Sequence, residues 1–432
     1  MTGFATRQIR AGAALPVAPN PAVVPIYQTA AYEFASWADA RDIFALRKAG
    51  NLYSRTGNPT QTVLEQRVAS LDRGVAALAT ASGQSAVALA LLALATPRGH
   101  IVAGAQLYGG TVDLLTDTFA DFGIEATLVD QDDPDAVRRA IRPDTRAVFV
   151  ESIGNPTAAV ADLSSLADVA HEAGVPLVVD NTIATPALLR PKEFGADIVV
   201  YSATKYLGGH GSSLGGVIVD LGTFDYGAQP ERWPQLTRPY PRIRDVVLWE
   251  RFGRAGSAYL VYVKTKFAHD LGPALSPFNA HQIIQGIETL DLRIARQSAT
   301  AEAIARHLDA HGAVAAVHHP AASGSPYAAA AARYLPRGAS GVFSFDLAAG
   351  ERAVPAFVDA LETFTLAANI GDARSLVIHP ATTSHSHLTD AQLRLAGFSR
   401  ATVRLSIGLE DQDDLIADLD RALAASAPAR RD

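Results

Sequence analysis

The chain has no cysteine, and its only methionine is Met1. A disulfide, a thiolate nucleophile and a cysteine-ligated metal are therefore excluded. The longest apolar run covers residues 86–95, well short of the roughly 20 residues that span a bilayer, so no membrane association is expected. Basic residues form no block and the net charge is −7, which argues against nucleic acid as the main partner.

The composition is that of a folded protein with more than one core. Hydrophobic residues make up 48% of the 432 residues and charged residues 19%, which argues against disorder. A chain of this length exceeds what one core comfortably supports, so two or more domains are expected. Residues 1–7 lack the apolar segment of a signal peptide, so a cytoplasmic protein is expected.

Strand-like and helix-like segments alternate in the middle of the chain. Apolar runs predict strands at 76–80, 100–103, 126–129, 147–151, 177–180, 198–202 and 216–219, with helices at 85–95, 111–122 and 163–173. This order predicts an α/β domain with a mostly parallel sheet. Ligands of such sheets bind beyond the carboxyl ends of the strands.

The two ends of the chain differ from its middle. The first 60 or so residues are rich in proline and glycine and predict an extended arm that packs on another surface, followed by a helix at 61–71 capped by Thr60. Residues 221–275 are irregular. A helix at 280–310, antiparallel strands at 341–347 and 402–407 and a closing helix at 413–425 predict a smaller α+β domain. The predicted division is 1–62, 63–272 and 273–432.

A lysine flanked by hydroxyls and glycines follows the strand predicted at 198–202. The stretch reads Ser202-Ala203-Thr204-Lys205-Tyr206-Leu207-Gly208-Gly209-His210-Gly211, and Asp180 ends another apolar strand. A lone lysine is usually a surface charge, and an aspartate there could be a helix N-cap. Together they are what pyridoxal 5′-phosphate (PLP) requires, a lysine for a Schiff base and an acid for its pyridine nitrogen. We therefore predict that Lys205 and Asp180 hold PLP.

A strand-to-helix turn, Ser82-Gly83-Gln84-Ser85, predicts a second part of the same site. The free N–H groups at a helix N-terminus bind phosphate, although such turns are common. With Ser202 and Thr204 as further donors, the turn predicts a cup for the phosphate group.

Three more polar residues have both a structural and a functional interpretation. Tyr108, in Leu107-Tyr108-Gly109-Gly110-Thr111, could be a packed aromatic residue, or it could stack on the cofactor ring and transfer a proton. Asn155 could serve only its turn, or it could donate to the ring oxygen. Arg404 lies among apolar neighbours and needs an anionic partner, which could be a salt bridge or a substrate carboxylate.

Two other patterns predict no site. His379, His385 and His387 are close in the sequence, but no acidic or cysteine ligand lies among them, so we expect a polar loop and no metal. Residues 211–215 have the GxSxG spacing of a hydrolase nucleophile elbow. An elbow leads into a helix, whereas this stretch leads into a predicted strand.

Taken together, these motifs resemble those of the Cys/Met-metabolism family of PLP enzymes, of the cystathionine γ-synthase type. The resemblance covers about residues 6–423 and is carried by residues 53–60, 81–86, 107–111, 151–156, 180–186, 202–211 and 403–410. Residues 221–275, 274–280 and 369–380 most resemble the O-acetylhomoserine sulfhydrylases within that family. The resemblance implies fold type I of the PLP-dependent transferases, with a seven-stranded sheet in the large domain.

The resemblance also implies residue roles. Lys205 would bind PLP covalently, Asp180 would pair with the pyridine nitrogen, and Tyr108 would stack on the ring. The phosphate would be held by Ser82, Gly83, Gln84, Ser202 and Thr204. Asn155 and Arg404 would position the cofactor and the substrate, and Ser375 would lie near the substrate carboxylate. Tyr53 and Arg55 would reach the site of a neighbouring subunit. A homotetramer of two dimers with shared active sites is implied.

The implied reaction is γ-replacement on O-acetyl-L-homoserine by sulfide or a small thiol, giving L-homocysteine or L-methionine and acetate, as in methionine biosynthesis. Methionine γ-lyases have a cysteine two positions after the stacking tyrosine, where this chain has Gly110, and this difference disfavours a lyase. Cystathionine γ-synthase, γ-elimination and non-catalytic PLP binding stay open as alternatives. The sequence leaves the acyl leaving group and the sulfur donor undetermined.

Overall fold

The computed structural model describes residues 2–12, 21–45, 47–386 and 388–426. The strands are β1 Ala76–Thr80, β2 His100–Gly104, β3 Glu125–Val129, β4 Thr145–Glu151, β5 Leu177–Asp180, β6 Ile198–Ser202, β7 Gly216–Asp220, β8 Pro239–Tyr240, β9 Val246–Val247, β10 Val314–His318, β11 Val342–Leu347, β12 Thr365–Leu366, β13 Leu376–Ile378 and β14 Thr402–Ser406.

The α-helices are α1 Phe4–Arg10, α2 Trp37–Phe44, α3 Pro59–Asp72, α4 Gly83–Ala95, α5 Gly109–Asp113, α6 Phe119–Asp121, α7 Pro134–Ala140, α8 Leu163–Glu172, α9 Thr185–Leu188, α10 Pro234–Thr237, α11 Leu248–Phe252, α12 Ala258–Tyr262, α13 His269–Leu271, α14 Pro277–Ile287, α15 Leu290–Asp309, α16 Ala328–Tyr334, α17 Val354–Asp359, α18 Asp390–Leu395 and α19 Gln412–Ser426. Short 3-10 helices cover Pro191–Phe194, Tyr226–Ala228, Pro241–Ile243, Glu351–Ala353 and Pro380–Thr382, and π-helices cover Leu114–Thr118 and Val263–Ala268.

The larger sheet has seven strands in the order β1-β7-β6-β5-β4-β2-β3. Strand β7 runs antiparallel to both of its neighbours, and the remaining pairs are parallel. The prediction of a mostly parallel seven-stranded sheet is confirmed. The carboxyl ends of β1, β4, β5 and β6 therefore lie along one edge, and the loops that leave them meet there.

Both faces of this sheet are covered, because the strands are apolar on both sides. Two clusters of buried apolar side chains lie on opposite faces of the sheet. In β4, Val148 and Val150 belong to the first cluster, whereas Ala147 and Phe149 belong to the second. Helices α3 and α8 cover the first face, and α4 covers the second. Trp233, which is fully buried, belongs to the second cluster, so the irregular region at 221–275 packs against the α4 side. Burial on both faces is typical of parallel sheets.

The second sheet has the order β10-β11-β14-β13-β12 and is antiparallel except for the β12–β13 pair. The strands predicted near 341–347 and 402–407 form β11 and β14, which pair antiparallel with Ser344 opposite Arg404. Phe343 and Val403 belong to the same apolar cluster as one face of the large sheet. This continuous core brings Arg404 close to the carboxyl edge of the large sheet.

Several local predictions were wrong at helix boundaries. Helix α3 begins at Pro59 and is capped by Asn58, whose side chain accepts the N–H of Thr60, because proline suits the first helical position. The single helix predicted at 280–310 is two helices, with Glu288 and Thr289 between them. The helix predicted at 111–122 is divided by a π-helical turn, and the arm predicted as extended contains α1 and α2.

Candidate active site

A cavity of about 580 Å³ lies at the carboxyl edge of the large sheet. It contains most of the residues that the sequence predicts for the site. The predicted residues that line it are Ser82, Gly83, Gln84, Tyr108, Asn155, Asp180, Ser202, Thr204, Lys205 and Arg404. These residues lie at or just beyond the carboxyl ends of β1, β2, β4, β5 and β6, and in β14, and the sheet topology brings them together.

Lys205 lies three residues beyond the end of β6. Its Nζ donates a hydrogen bond to Asn369 Oδ1 at 2.5 Å. Burial, and then the positive charge of Arg404, lower the pKa of Lys205 to about 8. The amine is thus close to the neutral form that attacks a carbonyl carbon.

Asp180 ends β5 and is oriented by Thr182. The backbone N–H of Thr182 donates to Asp180 Oδ1 at 2.9 Å, and Thr182 Oγ1 accepts the N–H of Ser202 at 2.8 Å. Burial raises the pKa of Asp180 to about 6. A cation placed against this carboxyl would favour its charged form, so the position suits a protonated ring nitrogen.

The start of α4 forms a cradle against the end of β6. A Cβ at Gly83 would lie 2.5 Å from Ser202 Cβ, so only glycine permits this approach. The Ser82 hydroxyl caps the helix by accepting the N–H of Ser85 at 3.1 Å. The first-turn N–H groups of a helix lack intrahelical partners and attract anions. A phosphate therefore fits here, as the sequence predicts.

Two of the predicted phosphate ligands direct their side chains to the protein itself. Gln84 Nε2 donates to the carbonyl of Gly110 at 2.7 Å, which fastens the loop that carries Tyr108. Thr204 Oγ1 accepts the N–H of Gly215 at 3.0 Å. The Gln84 amide thus supports the Tyr108 loop, a contact that sequence reasoning did not foresee.

Arg404 is 4% exposed and lines the cavity. Nη1 donates to Asn155 Oδ1 at 3.1 Å and Nη2 donates to the carbonyl of Asn369 at 3.0 Å. Within the described residues, the buried Nε has no hydrogen-bond partner. Burial lowers the pKa of Arg404 to about 10, so it stays charged at neutral pH. An anionic ligand would satisfy this group better than the amide oxygens do.

Three predicted residues lie outside this cavity. The Ser375 hydroxyl donates to Glu410 Oε2 at 2.8 Å, and its N–H donates to Glu410 Oε1 at 2.7 Å. These bonds engage both the N–H and the hydroxyl of Ser375, and its contact with the substrate carboxylate stays a prediction. Tyr53 is 46% exposed, and the Arg55 guanidinium lies 5.6 Å from its ring centroid. Both are on the surface of the single chain.

Several residues that line the cavity were given no role in the sequence prediction. They are Glu151, Thr182, Asn369, Thr383 and Ser384. Glu151, Thr182 and Asn369 lie inside the stretches that carry the family resemblance, and this position was the only indication in the sequence that they belong to the site. Their contacts depend on pairs of loops, and the sequence order of a motif does not specify such pairs.

The histidines that are close in sequence have separate structural contacts. His379 bonds through Nδ1 to Thr382 Oγ1 and through Nε2 to the carbonyl of Arg400, both at 2.8 Å. The His385 ring lies 5.2 Å from the Phe398 ring, and His387 lies outside the described residues. In the described part of the chain, no three His, Cys, Asp or Glu residues are grouped so as to hold a metal ion.

A mostly parallel sheet that directs a lysine amine and a carboxyl into one cavity, beside a helix start suited to phosphate, defines the class of PLP-dependent enzymes. The chain belongs to the Cys/Met metabolism family of PLP-dependent enzymes, whose match covers residues 5–424. The predicted family, fold and cofactor are confirmed.

Known relatives and solved structures match nearly the whole chain. It is 46% identical over 407 residues to an O-acetyl-L-homoserine sulfhydrylase of Leptospira meyeri, covering 93% of this chain and 92% of the relative. It is 42% identical over 421 residues to a homocysteine synthase of Schizosaccharomyces pombe, covering 97% and 98%.

Among solved structures, a Campylobacter jejuni protein assigned as an O-acetylhomoserine (thiol)-lyase matches with a TM-score of 0.93 and 35% identity, over 98% of this chain and 100% of that chain. That structure contains N'-pyridoxyl-lysine-5'-monophosphate. A cystathionine γ-synthase of Xanthomonas oryzae matches with a TM-score of 0.83 and 31% identity, over 99% of each chain. Across the described ranges, no helix combines the length and the apolar character needed to cross a bilayer.

Proposed function

We propose that the chain catalyses γ-replacement on O-acetyl-L-homoserine, in which sulfide or a small thiol displaces acetate to give L-homocysteine or L-methionine. The observation that carries this proposal is the cavity where Lys205, Asp180 and Arg404 meet, in a chain 46% identical to an O-acetyl-L-homoserine sulfhydrylase. The reaction belongs to methionine biosynthesis.

PLP, when bound, links covalently to an amine and withdraws electrons from the carbon next to it. The N–H groups at the start of α4, with Ser202, hold its phosphate group, and Thr204 fixes the adjoining loop through its bond with Gly215. Asp180 keeps the ring nitrogen protonated, and Tyr108 covers the ring. These residue roles are proposals that follow from their positions around the cavity.

Arg404 and Lys205 act on the substrate. Arg404 binds the α-carboxylate, because a buried guanidinium is stabilised by an anionic partner. Lys205, with a pKa of about 8, takes a proton from the α-carbon and then from the β-carbon, and later returns them. A base with a pKa near the working pH both accepts and releases protons efficiently. Acetate leaves the γ-carbon, and the sulfur nucleophile adds there.

Product analysis tests this function. We expect purified enzyme with O-acetyl-L-homoserine and sulfide to form homocysteine and acetate in equal amounts. Cystathionine from O-succinylhomoserine and cysteine, formed faster, would favour the cystathionine γ-synthase alternative. Release of 2-oxobutyrate and ammonia as the main products would favour γ-elimination. Bound PLP without turnover of either ester would contradict an enzymatic function.

We further propose that the protein is a cytoplasmic homotetramer in which residues 1–62 of each chain complete the site of a neighbouring subunit. Residues 63–272 then form the large domain and residues 273–432 the C-terminal domain. Exposed apolar side chains on the arm support this, since Val23 is 64%, Trp37 77% and Phe44 68% exposed. Contiguous exposed apolar side chains mark interaction surfaces, and the Phe34 and Phe44 rings of the arm lie 6.2 Å apart. Tyr53 and Arg55, outside the cavity of their own chain, are then available to the neighbour's phosphate.

Mixed oligomers test the shared site. We expect Arg55→Ala and Lys205→Ala each to be inactive alone. Unfolding and refolding the two together should restore activity, because a hybrid dimer then contains one site with both residues intact. No recovery in hybrids that are shown by sedimentation to form would contradict a shared site.

A further inference from the structure

A second carboxyl lies beside Asp180 in the cavity. Glu151 ends β4, Asp180 ends β5, and the two residues are directly paired in the register of these parallel strands. Glu151 is 5% exposed and lines the cavity. The reaction described above gives this buried acid no task, although burying a charge without a partner is costly.

The contacts of Glu151 are with the backbone of two loops. The N–H of Tyr108 donates to Glu151 Oε1 at 2.6 Å. The backbone N–H of Asn155 is close enough to this carboxyl to oppose the rise in its pKa. One loop carries the aromatic ring that covers the cofactor, and the other carries the amide that contacts Arg404 at 3.1 Å. A single side chain therefore fixes the Tyr108 loop by a hydrogen bond and lies beside the Asn155 loop.

The charge state of Glu151 follows from its neighbours. Burial, and then the charge of Asp180, raise the pKa of Glu151 well above its usual range. Two adjacent buried carboxyls do not both ionise readily. Asp180 is the one that must be charged to pair with a ring nitrogen, which leaves Glu151 as the neutral member. Accepting hydrogen bonds from N–H groups needs only a carbonyl-type oxygen, which a glutamine also has.

We propose that Glu151 is a positioning residue that holds the Tyr108 and Asn155 loops against the cofactor as a neutral carboxyl group. This inference rests on PLP dependence and is independent of the acyl donor. A failure of the O-acetylhomoserine assay leaves it standing, and its own failure leaves that assay unaffected.

Substitution of Glu151 with direct measurement of PLP binding tests the proposal. PLP is titrated into the cofactor-free full chain, and the dissociation constant and the visible circular dichroism of the bound cofactor are recorded. We expect Glu151→Gln to bind PLP within about threefold of the wild type with an unchanged spectrum. Glu151→Ala, which loses the hydrogen bond to Tyr108, should bind about tenfold more weakly with an altered spectrum.

Asp220 provides a matched control on the opposite edge of the same sheet. It ends the antiparallel strand β7, is 6% exposed, and accepts bonds from the Ser257 hydroxyl at 2.6 Å and the Gly222 N–H at 2.8 Å. We expect Asp220→Ala to lower the melting temperature without changing PLP affinity. Equal loss of PLP affinity in both alanine variants would overturn the proposal, because the effect would then be general destabilisation.

Two further outcomes decide the proposal. Damage by Glu151→Gln as large as that by Glu151→Ala would show that the negative charge is needed and would overturn the neutral role. Wild-type binding and spectrum in Glu151→Ala would overturn the positioning role. If the alanine variant does not fold, Glu151→Asp takes its place, since its shorter side chain keeps the acid but cannot reach both N–H groups.

Discussion

Lys205 and Asn369 are 164 residues apart in the chain and are joined by a hydrogen bond from Nζ to Oδ1 of 2.5 Å. The backbone carbonyl of Asn369 also accepts a bond from Arg404 at 3.0 Å. One residue between β12 and β13 thus contacts the amine and the guanidinium together. It sets the separation between the group that moves protons and the group that binds the substrate carboxylate.

Replacing Asn369 with alanine should reduce activity without releasing the cofactor. Loss of one hydrogen bond, worth about 1 kcal/mol, predicts a fall in kcat/KM of about three- to tenfold. PLP affinity should stay unchanged, because the phosphate and ring contacts come from the large sheet. Steady-state kinetics with PLP titration checks this, and an unchanged kcat/KM would contradict a positioning role for Asn369.

Replacing Lys205 with methionine should abolish turnover and stabilise the cofactor-free protein. The folded pKa of about 8 is below the ordinary 10.5, so below pH 8 the folded state holds a charge that burial disfavours. Allowing for the lost bond to Asn369, we expect a gain in unfolding free energy of about 2 kcal/mol at pH 7.

This gain should depend on pH in a defined direction. Between pH 8 and 10.5 the unfolded wild type binds more protons than the folded state, so its stability rises with pH. The advantage of Lys205→Met should therefore shrink over that window. Denaturant titrations of the wild type and the variant at pH 7 and pH 10 measure this advantage. The same difference in unfolding free energy at both pH values would show that Lys205 is not desolvated.

Replacing Asp180 with asparagine should weaken PLP binding and slow turnover at least about a hundredfold. The variant keeps the side-chain shape and loses the charge that retains the proton on the ring nitrogen. PLP titration and single-turnover kinetics report the two effects separately. Near-normal rates with full cofactor occupancy would mean that another group keeps the ring protonated.

Replacing Arg404 with lysine should raise KM for the amino-acid substrate. A single ammonium cannot bridge Asn155 and Asn369 while binding a carboxylate through two parallel bonds. Loss of a charged hydrogen bond predicts a fall in kcat/KM of about ten- to a hundredfold. Arg306→Lys, at a residue that pairs with Glu302 on the exposed side of α15, is the matched control and should leave kinetics unchanged.

Replacing Gly110 with alanine should displace Tyr108. A Cβ at this position would lie 2.6 Å from Tyr108 Cε1, so the ring must rotate away. An off-rotamer cost of about 1 kcal/mol predicts a loss in kcat of about fivefold and a changed spectrum of bound PLP. Gly312→Ala, where nothing lies within 4 Å of the new Cβ, is the control. Equal kinetics in both variants would show that the ring tolerates a side chain at 110.

The sequence predicted the large sheet well because its strands are short apolar runs separated by clear helices. All seven predicted strands form, as the observed β1 to β7 show. Helix ends were predicted less well. Pro59 and Asn58 displaced Thr60 from the capping position, and the pattern at 280–310 gave no sign of the break at Glu288 and Thr289, because apolar spacing continues across it.

The residues of the candidate site likewise fall into those that the local sequence predicts and those that it does not. Lys205, Asp180 and the turn at Ser82 were predictable, since each stands at the end of a strand and local chemistry identifies it. The contact of the Ser375 hydroxyl with Glu410 was not predictable, because the two residues are 35 positions apart. Glu151 was part of a motif, yet nothing local indicated that its carboxyl would bind the backbone of Tyr108.

By itself, the sequence determined the order of strands and helices, the PLP chemistry and the family, because apolar runs and the residues that end them are local properties of the chain. Only the tertiary structure decided which side chains face one another. Strand order placed Glu151 beside Asp180, and packing of the second sheet on the first brought Arg404 and Asn369 to Lys205. Pairings across strands and between sheets depend on the shared core, and no short stretch of sequence encodes them.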